Sequence, residues 1–344
     1  MIATPLEAEL VERIVAVAPG RVEVLYAPEL LPPMRYRGDH RGEPGVRRSA
    51  DDEARFDDMI AGARILWDIP PDRADGSNPV ADAAGLRWVQ TTSSGVGPRV
   101  RKLGLDERGI TITTARGLHA APLTEFTFMA LLAHAKGYEH LRREQVARRW
   151  RLYCSDSIQG KTLSIVGMGG IGRRIAATGK AFGMRVNGLI REGSEATADD
   201  LAIDAVFRQG NLHAMLGETD ALVLCAPETP ATRGMLDRAA FDALKPGAVL
   251  VNIARGSAVD EPALVAALLS GRLAFAALDV FRTEPLPEDS PLWDLGNVLI
   301  SPHSASTVAE ENERLTELFC RNLARFLAGR IGEMENLFDV ERGY

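Results

Sequence analysis

Short apolar runs alternate with segments of helical spacing through the second half of the chain. The predicted strands are residues 163–166, 185–190, 221–225, 248–253, 274–280 and 298–300. Apolar strands that alternate with helices are typical of a parallel sheet whose two faces are both covered. The pattern therefore predicts an α/β fold with a doubly wound parallel sheet in this half of the chain.

The first third of the chain carries shorter β-rich pieces that are separated by helical or polar stretches. They are VEVLY at Val22, ARILWDI at Ala63, LRWVQTT at Leu86 and ITITT at Ile110. These pieces predict a smaller α/β domain. Residues 32–52 are rich in proline, glycine and charge, so we predict a long loop or a mobile insert there.

A glycine-rich turn follows the first predicted strand of the larger sheet, in the sequence KTLSIVGMGGIG. Gly167 can take unusual dihedral angles, Gly169 lets a pyrophosphate approach the backbone, and Gly172 allows close packing of helix on strand. Free N–H groups at the helix N-terminus favour anions. Flavoproteins, methyltransferases and simple turns share this spacing, but helix 173–182 and the next strand complete a crossover unit. We therefore predict a nucleotide-binding Rossmann unit.

Two helical segments indicate how the two halves of the chain are connected. After Pro122 the apolar spacing becomes helical, and this helix is expected to carry the chain into the nucleotide domain. A last helix over residues 309–328 can return to the first domain. We predict a dinucleotide-binding domain of residues 119–304, inserted in a smaller domain of residues 1–118 and 305–344, with a cleft between them.

Composition and charge exclude several classes of protein. The 344 residues are 46% hydrophobic and 25% charged, as in ordinary globular proteins, and the net charge of −7 argues against a general nucleic-acid binder. One basic segment, residues 141–151, is a candidate nucleic-acid patch. We instead predict a solvated helix face with Trp150 turned inward.

The cysteines and the N-terminus point to a cytoplasmic protein without a metal site. Cys154, Cys225 and Cys320 lie far apart and have no CxxC or histidine-rich surroundings, so we expect reduced, buried thiols. The N-terminal residues include Glu7, Glu9 and Glu12 where a signal peptide requires an apolar core, and no segment approaches a membrane span.

Three chemically active side chains follow late strands of the predicted sheet. Arg255 follows VLVNIA, Glu284 follows the strand that ends LDVF, and His303 follows VLISP. Ligands of open α/β sheets bind at the carboxyl ends of the strands, so all three are candidates for the reacting centre. Each also has a simpler interpretation: a structural ion pair for the arginine, a turn before Pro285 for the glutamate, and a hydrogen-bonded loop residue for the histidine.

These residue types suit hydride transfer to a 2-keto acid. The forked donors of Arg255 can hold a carboxylate and polarise the adjacent carbonyl, which becomes an alkoxide as hydride arrives. His303 can supply the proton because imidazole titrates near neutral pH. A neighbouring carboxylate, for which Glu284 is the candidate, favours the imidazolium form and fixes the tautomer.

The chain resembles the D-isomer-specific 2-hydroxyacid dehydrogenases over roughly residues 86–328. The resemblance rests on GMGGIG at Gly167, NIARGSAVDEPAL at Asn252, LDVFRTEPLP at Leu278 and SPHSA at Ser301. It implies that Arg255, Glu284 and His303 are the catalytic trio and that the smaller domain is a flavodoxin-like substrate domain. It also implies a homodimer.

The resemblance further implies binding residues in both domains. In TTSSGVG, Ser94, Gly95 and Val96 are expected to offer backbone N–H groups to the substrate carboxylate, alongside Arg255. The implied cofactor contacts are Gly167, Gly169, Gly170, Ile171, Gly172, Cys225, Ala226, Pro227, Thr232, Ile253, Asp279 and His303. The segment CAPETPAT passes under the adenosine, and Asp279 lies beside the nicotinamide.

The second strand of the nucleotide domain departs from the family pattern. An acidic residue is expected at its end to bind the adenosine ribose, but Arg191 follows Ile190 and Glu192 comes one position later. A carboxylate would repel a 2′-phosphate, whereas an arginine can pair with it. The sequence therefore favours NADP over NAD as the cofactor, with Arg191 as a contact.

The resulting hypothesis is an oxidoreductase that reduces a small 2-keto acid, such as glyoxylate or hydroxypyruvate, to the D-2-hydroxy acid. An NAD(P)-sensing corepressor or scaffold on the same fold is an alternative from another class. Activity like that of D-3-phosphoglycerate dehydrogenase, or oxidation of formate or phosphite, are alternatives within the fold. No nucleic-acid, membrane or metal partner is expected.

Overall fold

The computed structural model describes residues 1–340. In chain order the helices are α1 (Ala8–Val15), α2 (Ala50–Gly62), α3 (Gly97–Lys102), α4 (Ala120–Ala135), α5 (Tyr138–Val146), α6 (Gly170–Ala181), α7 (Ala198–Leu201), α8 (Leu212–Glu218), α9 (Arg238–Ala243), α10 (Glu261–Leu269) and α11 (Glu311–Leu327). The strands are β1 (Ile65–Trp67), β2 (Trp88–Gln90), β3 (Thr111–Thr113), β4 (Thr162–Val166), β5 (Arg185–Ile190), β6 (Ala205–Arg208), β7 (Ala221–Leu224), β8 (Ala248–Asn252), β9 (Leu273–Leu278) and β10 (Val298–Ile300).

The chain divides into two compact units close to the predicted boundaries. One unit contains residues 1–118 and the chain end from Thr307, and the other is His119–Ser306. Each unit contains a parallel sheet with its own hydrophobic core. The predicted α/β class is confirmed.

The larger unit is built on a seven-stranded parallel sheet in the order β10-β9-β8-β7-β4-β5-β6. Alternate residues of each strand enter different cores, so that Ile165 packs on the side of α6 and Val166 on the side of α8. The strand order reverses at β4, which has β5 on one side and β7 on the other. In such sheets the crevice at the reversal point is where ligands bind.

All six predicted strands of this sheet are present, and the edge strand β6 was missed. Its sequence AVFR is short and ends in arginine, and its residues are half-buried or exposed, so it lacks the apolar run of a central strand. Helix α6 begins at Gly170, within the glycine turn, rather than at Arg173 as predicted.

The smaller unit has a three-stranded parallel sheet in the order β1-β2-β3. Trp67 and Trp88 are completely buried on this sheet. Phe319 of α11 stacks on Trp88 with ring centroids 4.8 Å apart and meets the edge of Trp67 at 5.5 Å. The last helix therefore returns to the first unit, as the sequence suggested.

The predicted strand at Val22 is wrong. Residues 22–26 belong to neither sheet, and a hydrogen bond from Ile2 N–H to Leu25 O joins them to the N-terminal segment. Ile2 bridges to Trp67, so the N-terminal residues occupy the edge of β1 where a further strand would pair. A segment rich in β-forming residues does not join a sheet when no sheet edge is free to pair with it.

The predicted insert at residues 32–52 is a loop up to Ser49, and its last residues belong to α2. Ser49 caps this helix by accepting a bond from Asp52 N–H. Within the loop, the buried Asp39 accepts hydrogen bonds from the Arg35 guanidinium and from the N–H groups of Arg41 and Gly42. The segment is therefore a folded turn organised around one carboxylate.

The prediction that Trp150 turns inward is wrong. Helix α5 ends at Val146, and Arg148 takes a positive φ of 52°, so the chain leaves the helix before Trp150. The side chains of Trp150 and Leu152 are 98% and 96% exposed. None of the helices within residues 1–340 is long and apolar enough to cross a membrane.

Candidate active site

The glycine turn after β4 has the shape that a dinucleotide requires. Gly167 has φ of +100°, and a Cβ there would lie 2.8 Å from the backbone of Ala226. A Cβ on Gly172 would lie 2.0 Å from Gly167 O, whereas one on Gly169 would meet nothing within 4 Å. Gly169 and Gly170 are exposed at the N-terminus of α6, with Ile171 half-buried behind them. The turn is therefore open at Gly169, where a pyrophosphate would approach, and tightly packed at Gly167 and Gly172.

The segment after β7 lies against this turn. Cys225 Sγ lies 3.1 Å from Gly167 O, and burial raises the pKa of this thiol to about 12, so it stays protonated and donates. Thr232 Oγ1 donates to Pro227 O at 2.9 Å and folds the segment into a turn that leaves Pro227 exposed. Cys225 and Ala226 thus lie beside Gly167, and the turn that contains Pro227 and Thr232 follows them in the chain. Cys154, by contrast, is exposed rather than buried.

Arg255 sits in a turn that its neighbours hold rigidly. Asn252, the last residue of β8, accepts a bond from Ala254 N–H at 3.1 Å and donates to Arg255 O at 3.3 Å. Ile253 between them is buried. A Cβ on Gly256 would lie 1.9 Å from the carbonyl carbon of Phe281, so the turn is pressed against the loop after β9.

Glu284 and His303 form a direct pair. Glu284 Oε2 lies 2.7 Å from His303 Nδ1, and the two side chains are 36% and 32% exposed. Glu284 Oε1 accepts a bond from Phe281 N–H at 3.0 Å, which leaves Oε2 turned to the imidazole. His303 has a positive φ of 54°, a strained conformation for a residue with a side chain.

Asp279 holds the turn that carries His303. Its Oδ1 accepts from Ser301 Oγ at 2.6 Å, Ser304 N–H at 2.8 Å and Ala305 N–H at 2.9 Å, and its backbone oxygen accepts from His303 N–H. Burial raises the pKa of Asp279, although these bonds oppose the effect. Asp279 thus stabilises the strained turn that carries His303.

The sequence singled out Arg255, Glu284 and His303 as candidates but not the residues that support them. Asn252, Phe281, Ser301 and the close contact at Gly256 act through the backbone of neighbouring turns. Each occurs within a motif that was recognised, yet nothing in its spacing indicates which backbone atom it meets. Arg191 lies where predicted, exposed and directly after β5.

The predicted substrate-binding residues of the smaller unit follow β2. Ser94 is half-buried, Gly95 is exposed, and Val96 is buried at the start of α3. Their N–H groups have no hydrogen-bond partner within residues 1–340. These backbone groups remain available as hydrogen-bond donors.

The arrangement in the larger unit suits acid–base chemistry at a polarised carbonyl. With Nδ1 of His303 committed to Glu284, Nε2 is the ring nitrogen left for proton transfer. One guanidinium nitrogen of Arg255 donates to Ala254 O, and the remaining donors can bind an anion. No group of three or more metal-ligating side chains occurs within residues 1–340.

The chain is similar to known proteins in sequence and in fold. The model of the D-isomer specific 2-hydroxyacid dehydrogenase NAD binding domain matches residues 128–305. A glyoxylate reductase from Korarchaeum cryptofilum is 36% identical over 234 residues, which cover 65% of this chain and 68% of that protein. A D-3-phosphoglycerate dehydrogenase from Mycobacterium leprae is 33% identical over 287 residues, which cover 77% of this chain and 53% of that protein.

A solved structure shows the same fold over nearly the whole length. It is a D-isomer specific 2-hydroxyacid dehydrogenase from Xanthobacter autotrophicus Py2, in complex with NADPH and MES. It is 26% identical in sequence and covers 99% of this chain and 97% of its own, with a TM-score of 0.74.

Proposed function

This chain belongs to the D-isomer specific 2-hydroxyacid dehydrogenases, which are NAD(P)-dependent oxidoreductases, and we propose that it reduces a small 2-keto acid such as glyoxylate or hydroxypyruvate to the D-2-hydroxy acid. Similarity to a glyoxylate reductase supports this substrate class. The phosphoglycerate dehydrogenase is a weaker guide, because this chain spans about half of its length.

The observation that carries the proposal is the contact of 2.7 Å between His303 Nδ1 and Glu284 Oε2. A carboxylate on Nδ1 orients the ring and leaves Nε2 for proton transfer. A structural histidine would not require a positive φ or a turn held by a buried aspartate. These costs favour a functional role for the ring.

In the proposed reaction, Arg255 binds the carboxylate of the keto acid and polarises its carbonyl. The N–H groups of Ser94, Gly95 and Val96 are proposed as substrate contacts of the smaller unit. When bound, the reduced dinucleotide would supply the hydride to the carbonyl carbon. His303 Nε2 then gives its proton to the carbonyl oxygen, so the product is a neutral hydroxyl group. Glu284 holds the imidazole ring through Nδ1, so Nε2 stays the nitrogen that transfers the proton.

We propose NADPH as the preferred donor. Arg191 stands where an NAD-binding protein of this fold places an acidic residue, and an arginine attracts a 2′-phosphate. The similar structure from Xanthobacter autotrophicus holds NADPH. The cofactor contacts predicted from the sequence are kept, with the glycine turn at the pyrophosphate and Asp279 at the nicotinamide.

A panel of 2-keto acids assayed with both cofactors tests the proposal. Glyoxylate, hydroxypyruvate, pyruvate and 3-phosphohydroxypyruvate would each be measured with NADPH and NADH. We expect the highest kcat/KM for glyoxylate or hydroxypyruvate with NADPH. A preference for the phosphorylated acid would favour phosphoglycerate chemistry. Cofactor binding without turnover of any acid would favour a corepressor or scaffold.

We also propose a homodimer formed through the arm of residues 147–156. The arm and the preceding helix end expose Val146, Trp150, Leu152 and Tyr153, a large apolar surface for one segment. A second copy is the proposed occupant, because a symmetric pair buries both arms at once. The cytoplasmic location predicted from the sequence stays a prediction.

A further inference from the structure

The turn that begins at Arg191 is fixed by hydrogen bonds from its own backbone and from the neighbouring strand. Ser194 N–H donates to Arg191 O at 3.3 Å, and Gly193 takes a positive φ of +72° between them. Arg208 is the last residue of β6 and lies opposite Ile190, the last residue of β5, in the parallel register. Its Nη2 donates to Ser194 O at 2.8 Å. Arg208 therefore braces the turn from which Arg191 projects.

Glu192 is the only acidic side chain within the turn, and its carboxylate contacts a neighbouring backbone segment. Its Oε1 accepts a bond from Gly210 N–H at 3.1 Å, on the segment that follows β6. This bond occupies one oxygen of the carboxylate and directs the side chain toward the segment after β6. A carboxylate held there favours NAD and repels a 2′-phosphate less than one directed at the ribose.

Two positive charges remain at the ends of adjacent strands. Arg191 and Arg208 are both exposed, and neither forms an ion pair with another side chain in the described part of the chain. Arg208 uses one nitrogen for Ser194 O, and a guanidinium has further donors in the same plane. Paired arginines suit a phosphate group, which accepts several charge-assisted hydrogen bonds.

We propose that Arg208 is a second determinant of NADP selection, which positions the turn of Arg191 and adds positive charge beside the 2′-phosphate. The inference rests on the proposed preference for NADPH. It assigns part of that preference to Arg208, which lies outside the end of β5 where cofactor choice is normally determined. The binding group would be the 2′-phosphate of the adenosine, and Glu192 would be kept out of the site by Gly210.

Calorimetric binding of adenosine 2′,5′-bisphosphate and of 5′-AMP tests this without turnover. We expect the wild type to bind the bisphosphate roughly tenfold or more tightly than 5′-AMP, as one charged contact contributes. Arg208→Gln should lose most of that preference and leave affinity for 5′-AMP nearly unchanged. The salt dependence of bisphosphate binding should also weaken, because one charge fewer is involved.

Arg185→Gln is the matched control. Arg185 is an exposed arginine at the opposite end of β5, so this variant removes the same charge away from the turn, and it should keep the full preference. Arg208→Gln with wild-type preference would overturn the role of Arg208 while leaving the NADPH proposal standing. If Arg208→Gln weakened the binding of both ligands equally, Arg208 would have only a structural role, and its proposed role in selection would also be overturned. A wild type that binds both ligands equally would overturn the NADPH proposal itself, and the second determinant with it.

Discussion

The bond between Glu284 and His303 determines which imidazole nitrogen can meet a substrate. One carboxylate oxygen is held by Phe281 N–H and the other faces Nδ1, so the acid cannot rotate away without losing a backbone bond. The ring is held in turn by Asp279 through the backbone of residues 303–305. Nε2 is thus the ring nitrogen that is left for the proposed proton transfer.

The guanidinium of Arg255 is predicted to act through its shape as well as its charge. Arg255→Lys keeps the positive charge but removes the planar fork that binds a carboxylate with two parallel bonds. We expect kcat/KM for the keto acid to fall by roughly tenfold or more, the scale of one charge-assisted hydrogen bond. Steady-state kinetics with NADPH at saturation measure this.

Arg238→Lys is the control for this substitution. Arg238 lies on α9 with its side chain 86% exposed, so the same change there should leave kcat/KM unaltered. If Arg255→Lys retains full kcat/KM, forked recognition at this position is wrong.

At the level of elements, the turns after β8 and β9 are locked together at Gly256. The Cβ of Gly256→Ala would lie 1.9 Å from Phe281 C and 2.4 Å from Arg282 N, and backbone atoms cannot yield as a flexible side chain does. We expect a loss of about 1–3 kcal/mol or more in the free energy of unfolding. Because these turns carry Arg255 and Glu284, kcat should fall as well.

Denaturant unfolding and kinetics of the same samples check this prediction. Gly296→Ala is the matched control, since a Cβ there meets nothing within 4 Å. An alanine at position 256 that changed neither stability nor kcat would show that the two turns are not coupled.

The insert of the smaller unit should respond to acid through Asp39. Burial on its own raises the pKa of this carboxyl, but bonds from Arg35 and from the N–H groups of residues 35, 41 and 42 bring it down to about 2 from an ordinary 3.8. A carboxyl whose pKa is lowered by folding stabilises the protein above its unfolded pKa. That contribution is lost as pH falls from about 4 to about 2.

Asp39→Asn is therefore expected to lower stability at neutral pH by about 1.5–3 kcal/mol, the scale of hydrogen bonds to a charged group. The difference from wild type should shrink as the pH approaches 2. Denaturant midpoints measured across this range test the claim, with Asp58→Asn on the exposed face of α2 as control. A difference that stayed constant with pH would show that the charge of Asp39 is not what holds the loop.

The elements that sequence predicted well are those with a strong local signal. Central strands such as β4 and β7 are wholly buried and read as apolar runs, and the glycine turn has a fixed spacing. Whether β6 and the segment at Val22 join a sheet depends on which sheet edges are free to pair. The local sequence pattern carries no information about free edges. The candidates Arg255, Glu284 and His303 were singled out because parallel strands end at one edge of a sheet, whereas the bonds that support them depend on packing.

At the scale of the whole molecule, the exposed arm predicts self-association. Replacing Trp150 and Leu152 together by serine removes two almost fully exposed apolar side chains and should convert a dimer into a monomer. Light scattering coupled to size-exclusion chromatography measures the mass directly. Leu269→Ser, at a 70% exposed position of α10, should remain a dimer. A monomeric wild type would contradict the assembly.

The most direct test of the proposed 2-keto acid reduction measures cofactor consumption and product formation in the same reaction. With hydroxypyruvate or glyoxylate as substrate, NADPH consumed and 2-hydroxy acid formed would be quantified together. Where the product is chiral, its configuration would be assigned by chiral chromatography. The wild type should form one hydroxy acid per NADPH, in the D configuration for hydroxypyruvate.

His303→Gln should bind NADPH as before and lose roughly 10²-fold or more in kcat, the usual contribution of general acid catalysis. His213→Gln, on the exposed face of α8, should behave as the wild type. A His303→Gln enzyme with wild-type kcat, or a wild type that binds NADPH and reduces no 2-keto acid, would contradict the account.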